Sequence, residues 1–445
     1  MSIVVRGGRI IDPYVGLDII GDLWIENNVI KELGKQVCAP PNTPIIDASG
    51  FVVCPGFIDM HCHLREPDET SIGEHEKETI ATGTSAAAKG GFTTVCAMPN
   101  TRPPIDNRIV MEFLMDIARE KSVVNVLPIA CITKDRSGVS LTNMEDLAEG
   151  GAIGFSDDGS PLTNDGLMCE ALIRAKSLGL PIINHCEDLS MSDGGVMNDG
   201  ALAIKLGLKG WPPSAEETMV ARDIAAAEFT GGHIHIAHVS TAGSVDLVRK
   251  AKERGVSVTA EVTPHHLTIT EEYANARQGY HFPHNTNAKV NPPLRTQHDV
   301  DALVRGLADG TIDCIATDHA PHTRSDKECT FQEAAFGISG LETALGSTMT
   351  LVHQGLLSMT TLIERLTAGP GKILNEPDLF PYTLKPGLAA DVTVFSPNTE
   401  WVVDTSTFAS KGKNTPLEGM KLIGKVMITI VAGQIAYRDS TARIE

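Results

Sequence analysis

At 445 residues with 42% hydrophobic content, the chain can hold more than one domain, or one large barrel with an appendage, and no apolar run approaches the ~18 residues that cross a bilayer. A formal net charge of −19 argues against nucleic acid or anionic membrane as partner, while leaving room for an anionic small molecule held in a local basic pocket. Nine cysteines with no Cys-x-x-Cys pair argue against a disulfide framework or a cysteine-rich zinc module, and the absence of a charged-then-apolar leader predicts a cytoplasmic protein.

Residues 1–55 read as short strands and turns: Ser2–Arg6, Gly8–Pro13, Asp22–Asn28 and Val29–Leu33 alternate apolar and polar residues between Gly, Asn and Asp punctuation. Residues 376–445 repeat the texture, in Leu384–Phe395 and Lys425–Tyr437. One small β-sandwich domain built from both chain ends is expected. Between them, residues 56–375 alternate apolar strands with helical stretches, the layout of parallel strands joined by crossover helices. Eight strands are expected, around Phe57–His61, Thr93–Met98, Val124–Ile132, Ala152–Ser156, Pro181–His185, His233–Val239, Val256–Val262 and Asp313–Thr317. Helices such as Ile109–Lys121, Leu167–Leu178, Ala215–Glu228 and Ser244–Arg254 separate several of them. Eight such units predict a (β/α)8 TIM-type barrel; an open doubly wound sheet shares the periodicity, but no Gly-x-Gly-x-x-Gly turn follows a first strand.

The polar residues fall at the C-terminal strand ends: His61 and His63, then Asn100, Asp157-Asp158, His185, His238 and Asp318. In a barrel these ends ring one mouth, where side chains from distant parts of the chain converge. Asp59, His61 and His63 alternate along one strand and share a face, so two imidazoles can reach one metal ion. A His-x-His pair alone is as often two separately satisfied residues, but five metal-capable strand ends about one mouth are not explained that way. Imidazole and carboxylate without thiolate suit Zn2+, and also Mn2+, Co2+ or Fe2+. Four His and two Asp exceed the ligand set of one catalytic zinc and match two ions about 3.5–4 Å apart; a hydroxide bridging such a pair is a nucleophile at neutral pH, and a neighbouring carboxylate can move its proton. Asp157 competes with Asp158, because the register of a short strand is not legible to one residue. His233 and His235 have the opposite parity to His238, so only one set is expected to face the lumen at that level. His265 and His266 read as structural support, and Cys62, Cys96, Cys186 and Cys314 as packing.

Asp47-Ala-Ser-Gly followed by Pro55-Gly-Phe-Ile-Asp-Met-His-Cys-His resembles the entry motif of the amidohydrolase superfamily. More narrowly, the chain resembles the type I dihydroorotases in His61-Cys-His-Leu-Arg-Glu-Pro, Gly90-Gly-Phe-Thr-Thr-Val with Met98-Pro-Asn-Thr, Phe155-Ser-Asp-Asp-Gly and Asn184-His-Cys-Glu-Asp. The likeness continues through His238-Val-Ser-Thr, Val290-Asn-Pro-Pro-Leu-Arg, Ala316-Thr-Asp-His-Ala-Pro-His and Phe336-Gly-Ile-Ser-Gly-Leu-Glu-Thr, in order over nearly the whole central region. This resemblance implies a zinc-dependent cyclic amidohydrolase that interconverts dihydroorotate and N-carbamoyl-aspartate in pyrimidine synthesis, with two Zn2+ per subunit. It implies that His61 and His63 bind the more buried metal, that His185 and His238 bind the other, and that Asp158 bridges them, where hydantoin-cleaving relatives use a carbamylated lysine. Asp318 would complete the first metal's ligands and act as general base. Arg65, Asn100 and His322 would hold the substrate carboxylate, with Asn291 and the backbone near Phe336 and Gly337 against the pyrimidine ring. A homodimer and a contact with aspartate transcarbamoylase are implied as well.

Two alternatives stand beside this reading. One is an allantoinase or dihydropyrimidinase, which would want a bridging lysine; residues 150–159 contain none, and Lys134 is the nearest candidate. The other is a non-catalytic scaffold that keeps the fold to bind a partner enzyme. The chain also departs from the family pattern after Pro67, where a longer acidic segment, Asp68-Glu-Thr-Ser-Ile-Gly-Glu, replaces the usual Gly.

Overall fold

The computed structural model describes residues 2–68, 74–275, 283–374 and 381–444. Most of the acidic segment after Pro67, residues 69–73, lies outside the described residues, as does the expected boundary at 376. The N-terminal strands are β1 (Ser2–Asp12), β2 (Leu17–Glu26), β3 (Val29–Gly34), β4 (Ile45–Asp47) and β5 (Val52–Pro55). The central strands are β6 (Phe57–Cys62), β7 (Phe92–Ala97), β8 (Asn125–Pro128), β9 (Ile182–Asn184), β10 (Ile234–Ile236), β11 (Val258–Val262) and β12 (Cys314–Ile315). The C-terminal strands are β13 (Val392–Val402), β14 (Lys421–Val431) and β15 (Gln434–Arg438).

Both chain ends meet in one sheet of order β15-β14-β13-β5-β1-β2-β3, with β4 also on β1. Where two facing sheets were expected, the strands hydrogen-bond into a single one. The reason lies in β1, whose register slips between Val5 and Gly8, with Gly7 at φ +71°; it pairs with β4 before the slip and β5 after it. Such a bulge bends a strand, letting one sheet enclose its own core of Ile3, Val5, Ile10, Leu23, Ile25, Val53, Val392 and Ile428.

The central strands are parallel and form two sheets, β6-β7-β8 and β9-β10-β11-β12. Parallel bridges link the sheets on both sides: Ala130 to Phe155 and Phe155 to Ile182 on one, Cys62 to His319 on the other. The expected strand over residues 152–156 lies between the two sheets: beside the Phe155 bridges, the amides of Ile153 and Ser156 donate to Pro128 O and Ala130 O on one side and the Phe155 amide donates to Pro181 O on the other.

Helices Arg108–Lys121, Asp165–Leu178, Ser214–Thr230 and Ala242–Glu253 fall where periodicity put them. The side chains of Asn107, Asn164 and Thr241 accept N-terminal amide protons and so begin three of them. Helix faces bury residues such as Leu114, Leu172, Ile224 and Val248 against the sheets. Inside, Ile58, Met60, Cys96, Leu127, Ile153, Ile183 and Cys314 fill the space beneath the C-terminal strand ends. All nine cysteines are free thiols, Cys62, Cys96, Cys186 and Cys314 among the buried ones. No helix of the described residues is long and apolar enough to cross a membrane.

Candidate metal and substrate site

The strand ends open on a cavity of about 180 Å3. Its wall contains His63, Arg65, Asn100, Asp158, His185, His238, Asn291, Asp318, His322, Phe336 and Gly337, eleven of the twelve residues singled out from sequence. The twelfth, His61, lies fully buried just beneath, with Nε2 3.4 Å from Asp158 Oδ1 and 3.6 Å from Asp318 Oδ1.

Backbone geometry aims these groups. Strand β6 ends at Cys62, and Arg65 reaches the cavity from a left-handed residue, φ +62°, not from a continuing strand face. His238 and Asp318 are also left-handed, at φ +31° and +46°. Strained backbone of this kind persists where surrounding structure over-determines it. At His238 it breaks strand alternation just past β10. The expectation that only one histidine set faces inward is therefore overturned: His238 lines the cavity while His235 points into the lumen below it, onto Glu261.

The donor atoms fall into two overlapping groups, His61 with His63 and Asp318, and His61 with Asp158 and His238; within each group they lie within 4.8 Å of one another. His185 joins through Nδ1, 2.9 Å from His238 Nε2 and 3.6 Å from Asp158 Oδ1. His63 Nε2 is 3.0 Å from Asp318 Oδ1, and its Nδ1 is 2.8 Å from Asn100 Oδ1. Because the amide oxygen only accepts, the Nδ1 proton belongs to His63 and the Nε2 lone pair faces the cavity. Asn100 also donates to Asp158 Oδ2 at 3.3 Å. Asp157 turns the other way, accepting from the amides of Ile132 and Thr133 and the Thr133 hydroxyl.

The electrostatics favour a cation. Burial works against charge on Asp158, but His61, His185 and His238 outweigh it and hold the carboxyl well below its usual range. Burial likewise opposes charge on Asp318, and His63, His61 and His238 bring it down to about 2. His61 is resisted by burial yet pulled well above the ordinary imidazole value by Asp158 and Glu261. His185, against the same resistance, rises to about 9 beside Asp158 and Glu187. Two buried polar atoms at the centre, His61 Nε2 and Asp158 Oδ1, have no hydrogen-bond partner. Unpaired donor atoms inside an anionic frame of imidazoles and carboxylates fit a divalent metal site.

Two supporting residues, Glu261 and Glu187, escape the sequence reading. Glu261 Oε1 lies 2.7 Å from His61 Nδ1. Glu187 Oε2 is 3.1 Å from His185 Nε2 and accepts from Asn291 Nδ2 at 3.2 Å. Asp59 accepts from the amide and hydroxyl of Thr317, tying β6 to the chain that carries Asp318. Glu261 left a signal, a lone carboxylate between Ala260 and Val262 in an apolar strand, and Glu187 sat two residues from His185. On the opposite wall, His322 Nε2 donates to Phe336 O at 2.7 Å, and burial lowers its pKa to about 4, so it is neutral. Lys134 is exposed, and no lysine is among the described residues lining the cavity.

A family model described as Dihydro-orotase-like matches residues 50–244. A dihydroorotase of Syntrophus aciditrophicus is 50% identical over 440 residues, covering 99% of this chain and all of the relative. One of Caldanaerobacter subterraneus is 48% identical over 441 residues, 99% of this chain and 98% of the relative. Among solved structures, a dihydropyrimidinase of Brevibacillus agri superposes with a TM-score of 0.85 at 22% identity, over 99% of this chain and 96% of its own. An L-hydantoinase of Arthrobacter aurescens gives 0.85 at 23% identity, over 100% and 98%. At such identities these structures speak for the fold alone.

Proposed function

The chain belongs to the dihydroorotase family, and from that premise we propose that its cavity interconverts dihydroorotate and N-carbamoyl-aspartate, the ring-forming step of pyrimidine synthesis, with two zinc ions per chain. The observation that carries this reading is the meeting of four histidines and two aspartates with Arg65 in one cavity. His61, His63 and Asp318 would hold one ion, and His185 and His238 the other, with Asp158 between them. Such a pair supplies an activated water and polarises the amide carbonyl. Asp318 takes the proton from the attacking water on its carboxylate and delivers it to the departing ring nitrogen; ring closure runs the same transfers backwards. Arg65 and Asn100 bind the carboxylate, His322 joins them by turning its one N–H from Phe336 O to the substrate, and Asn291 with the backbone at Phe336 and Gly337 orients the ring. The absence of a lysine from the described cavity wall favours this reading over a dihydropyrimidinase. We read residues 56–375 as a closed (β/α)8 barrel, supported by the bridges on both sides of its sheets, and residues 1–55 with 376–445 as a separate β domain, supported by its own apolar core.

The test is metal analysis with turnover of dihydroorotate, dihydrouracil and hydantoin. Two zinc ions per chain and a clear preference for dihydroorotate are expected. Faster turnover of either carboxylate-free ring would reverse the substrate assignment, and a metal-free inert chain would favour the scaffold. A finer check lies at Gly337, where φ is +143° and an added Cβ would come within 2.7 Å of Ala320 O and 3.0 Å of His322 Cδ2. Gly337→Ala is expected to raise KM for dihydroorotate roughly tenfold, the equivalent of ~1.4 kcal/mol, and to lower Tm, because the strained φ and the contact with Ala320 O destabilise the fold as well. Steady-state kinetics beside a melting curve measures both.

A further inference from the structure

Below the cavity, a file of hydrogen-bonded side chains runs along the lumen from the site to the opposite strand ends. His61 Nδ1 lies 2.7 Å from Glu261 Oε1, and Glu261 Oε2 lies 3.2 Å from His235 Nε2. His235 Nδ1 is 2.8 Å from Thr259 Oγ1, which is itself 2.8 Å from His233 Nε2. Register explains the file: His235 on β10 faces Thr259 on β11, and Thr259 and Glu261 alternate onto one face. Glu261 and His235 are fully buried, whereas Thr259 and His233, near the strand starts, are half-buried.

With neutral imidazoles and an ionised Glu261, each bond in this file has one direction. A carboxylate accepts through both oxygens, so His61 donates from Nδ1 and His235 from Nε2. The second His235 nitrogen must then accept, so the Thr259 hydroxyl donates to it; the Thr259 oxygen in turn accepts from His233. Glu261 Oε1 also accepts the His238 backbone N–H at 3.2 Å, so one carboxylate touches two of the histidines assigned to metal. Nothing in the file competes for His61 Nε2, which faces Asp158 and Asp318 and would serve a metal ion as its ligand atom.

We infer that Glu261 is a positioning residue for the metal site, fixing the tautomer and ring plane of His61, and that His235, Thr259 and His233 hold Glu261 in its double-acceptor state. This rests on reading the cavity as a metal site. Neutral Gln at 261 keeps the volume but must aim its NH2 at one of two nitrogens that both donate, so one imidazole is forced to change tautomer. Thr259→Val removes the hydroxyl that donates to His235 and accepts from His233, well away from the cavity.

The experiment uses the metal-loaded full chain. Glu261→Gln is expected to weaken metal retention against a chelator by about 10–100-fold, to change the visible spectrum of the Co2+-substituted protein, and to lower kcat in the same range with KM nearly unchanged. Thr259→Val should shift the same readouts in the same direction, roughly threefold to tenfold, and add little in the Glu261→Gln background, because residues of one network are not additive. Wild-type metal retention and Co2+ spectrum in Glu261→Gln, or fully additive effects in the double variant, would overturn the inference and leave these residues as packing. A wild-type chain that holds no metal under any loading would overturn the metal reading itself, and this inference with it.

Discussion

Asp318→Asn is expected to lower kcat for dihydroorotate by about 10²–10⁴-fold, the range attached to a positioned proton carrier, with KM within a few-fold and metal content unchanged. The substitution keeps the side chain's size and one oxygen beside His63 Nε2, 3.0 Å away, so an oxygen ligand for the ion that the two residues would share remains. What it removes is the capacity to take up a proton. The Asp318 carboxyl, held down to about 2 by its histidine neighbours against the opposing effect of burial, is ionised throughout the neutral range. A base so weak is a carrier rather than a sink: it releases the proton readily to the departing nitrogen. Since the same atom serves both directions, ring opening and ring closure should fall by the same factor. Kinetics in each direction, with metal counted on the same samples, separates this role from ligand loss. Near-normal turnover in the Asn variant would remove Asp318 from the proton path.

The cavity residues were legible in the chain because they share one topological address, the position just after an apolar strand, which parallel packing turns into a common rim. His185, His238 and Asp318 could be read that way even though they are far apart in sequence. What failed was the extrapolation of strand geometry past the point where strands end. Alternation predicted that His235 and His238 could not both face inward, but φ at His238 is +31°, and no residue type announces a left-handed histidine. Arg65 arrives by a similar turn. The choice between Asp157 and Asp158 depends on register alone; in the structure Asp158 lines the cavity and Asp157 faces partners outside the motif, the Ile132 and Thr133 amides. Glu261 was overlooked for the opposite reason. It lies within a strand rather than after one, so it was counted as part of an apolar run, although burying a carboxylate there requires partners that only the neighbouring strands provide.

Arg65→Met should lower kcat/KM for dihydroorotate by about 10²-fold while leaving the turnover of dihydrouracil within about twofold, because only the first ring carries a carboxylate to lose. A hydrogen bond to a charged group contributes about 1.5–3 kcal/mol, which corresponds to roughly one to two decades in affinity. Met retains the unbranched stem and, like Arg, is a non-glycine residue at φ +62°, so the backbone cost is the same in both proteins. In a chain of net charge −19, a guanidinium at the cavity wall is also a local exception that an anionic substrate needs. If the contact is equally strong in ground and transition states, the loss falls on KM with kcat unchanged; a fall in kcat would mean that the clamp also orients the ring for attack. Arg65→Lys restores charge without the planar fork and should recover only part of the loss. The competing role is structural, since Arg65 Nη2 also reaches Pro321 O at 3.4 Å, next to His322. That role predicts equal damage to both substrates. Equal losses with dihydroorotate and dihydrouracil would therefore make Arg65 a prop for the loop and take the carboxylate site away from it.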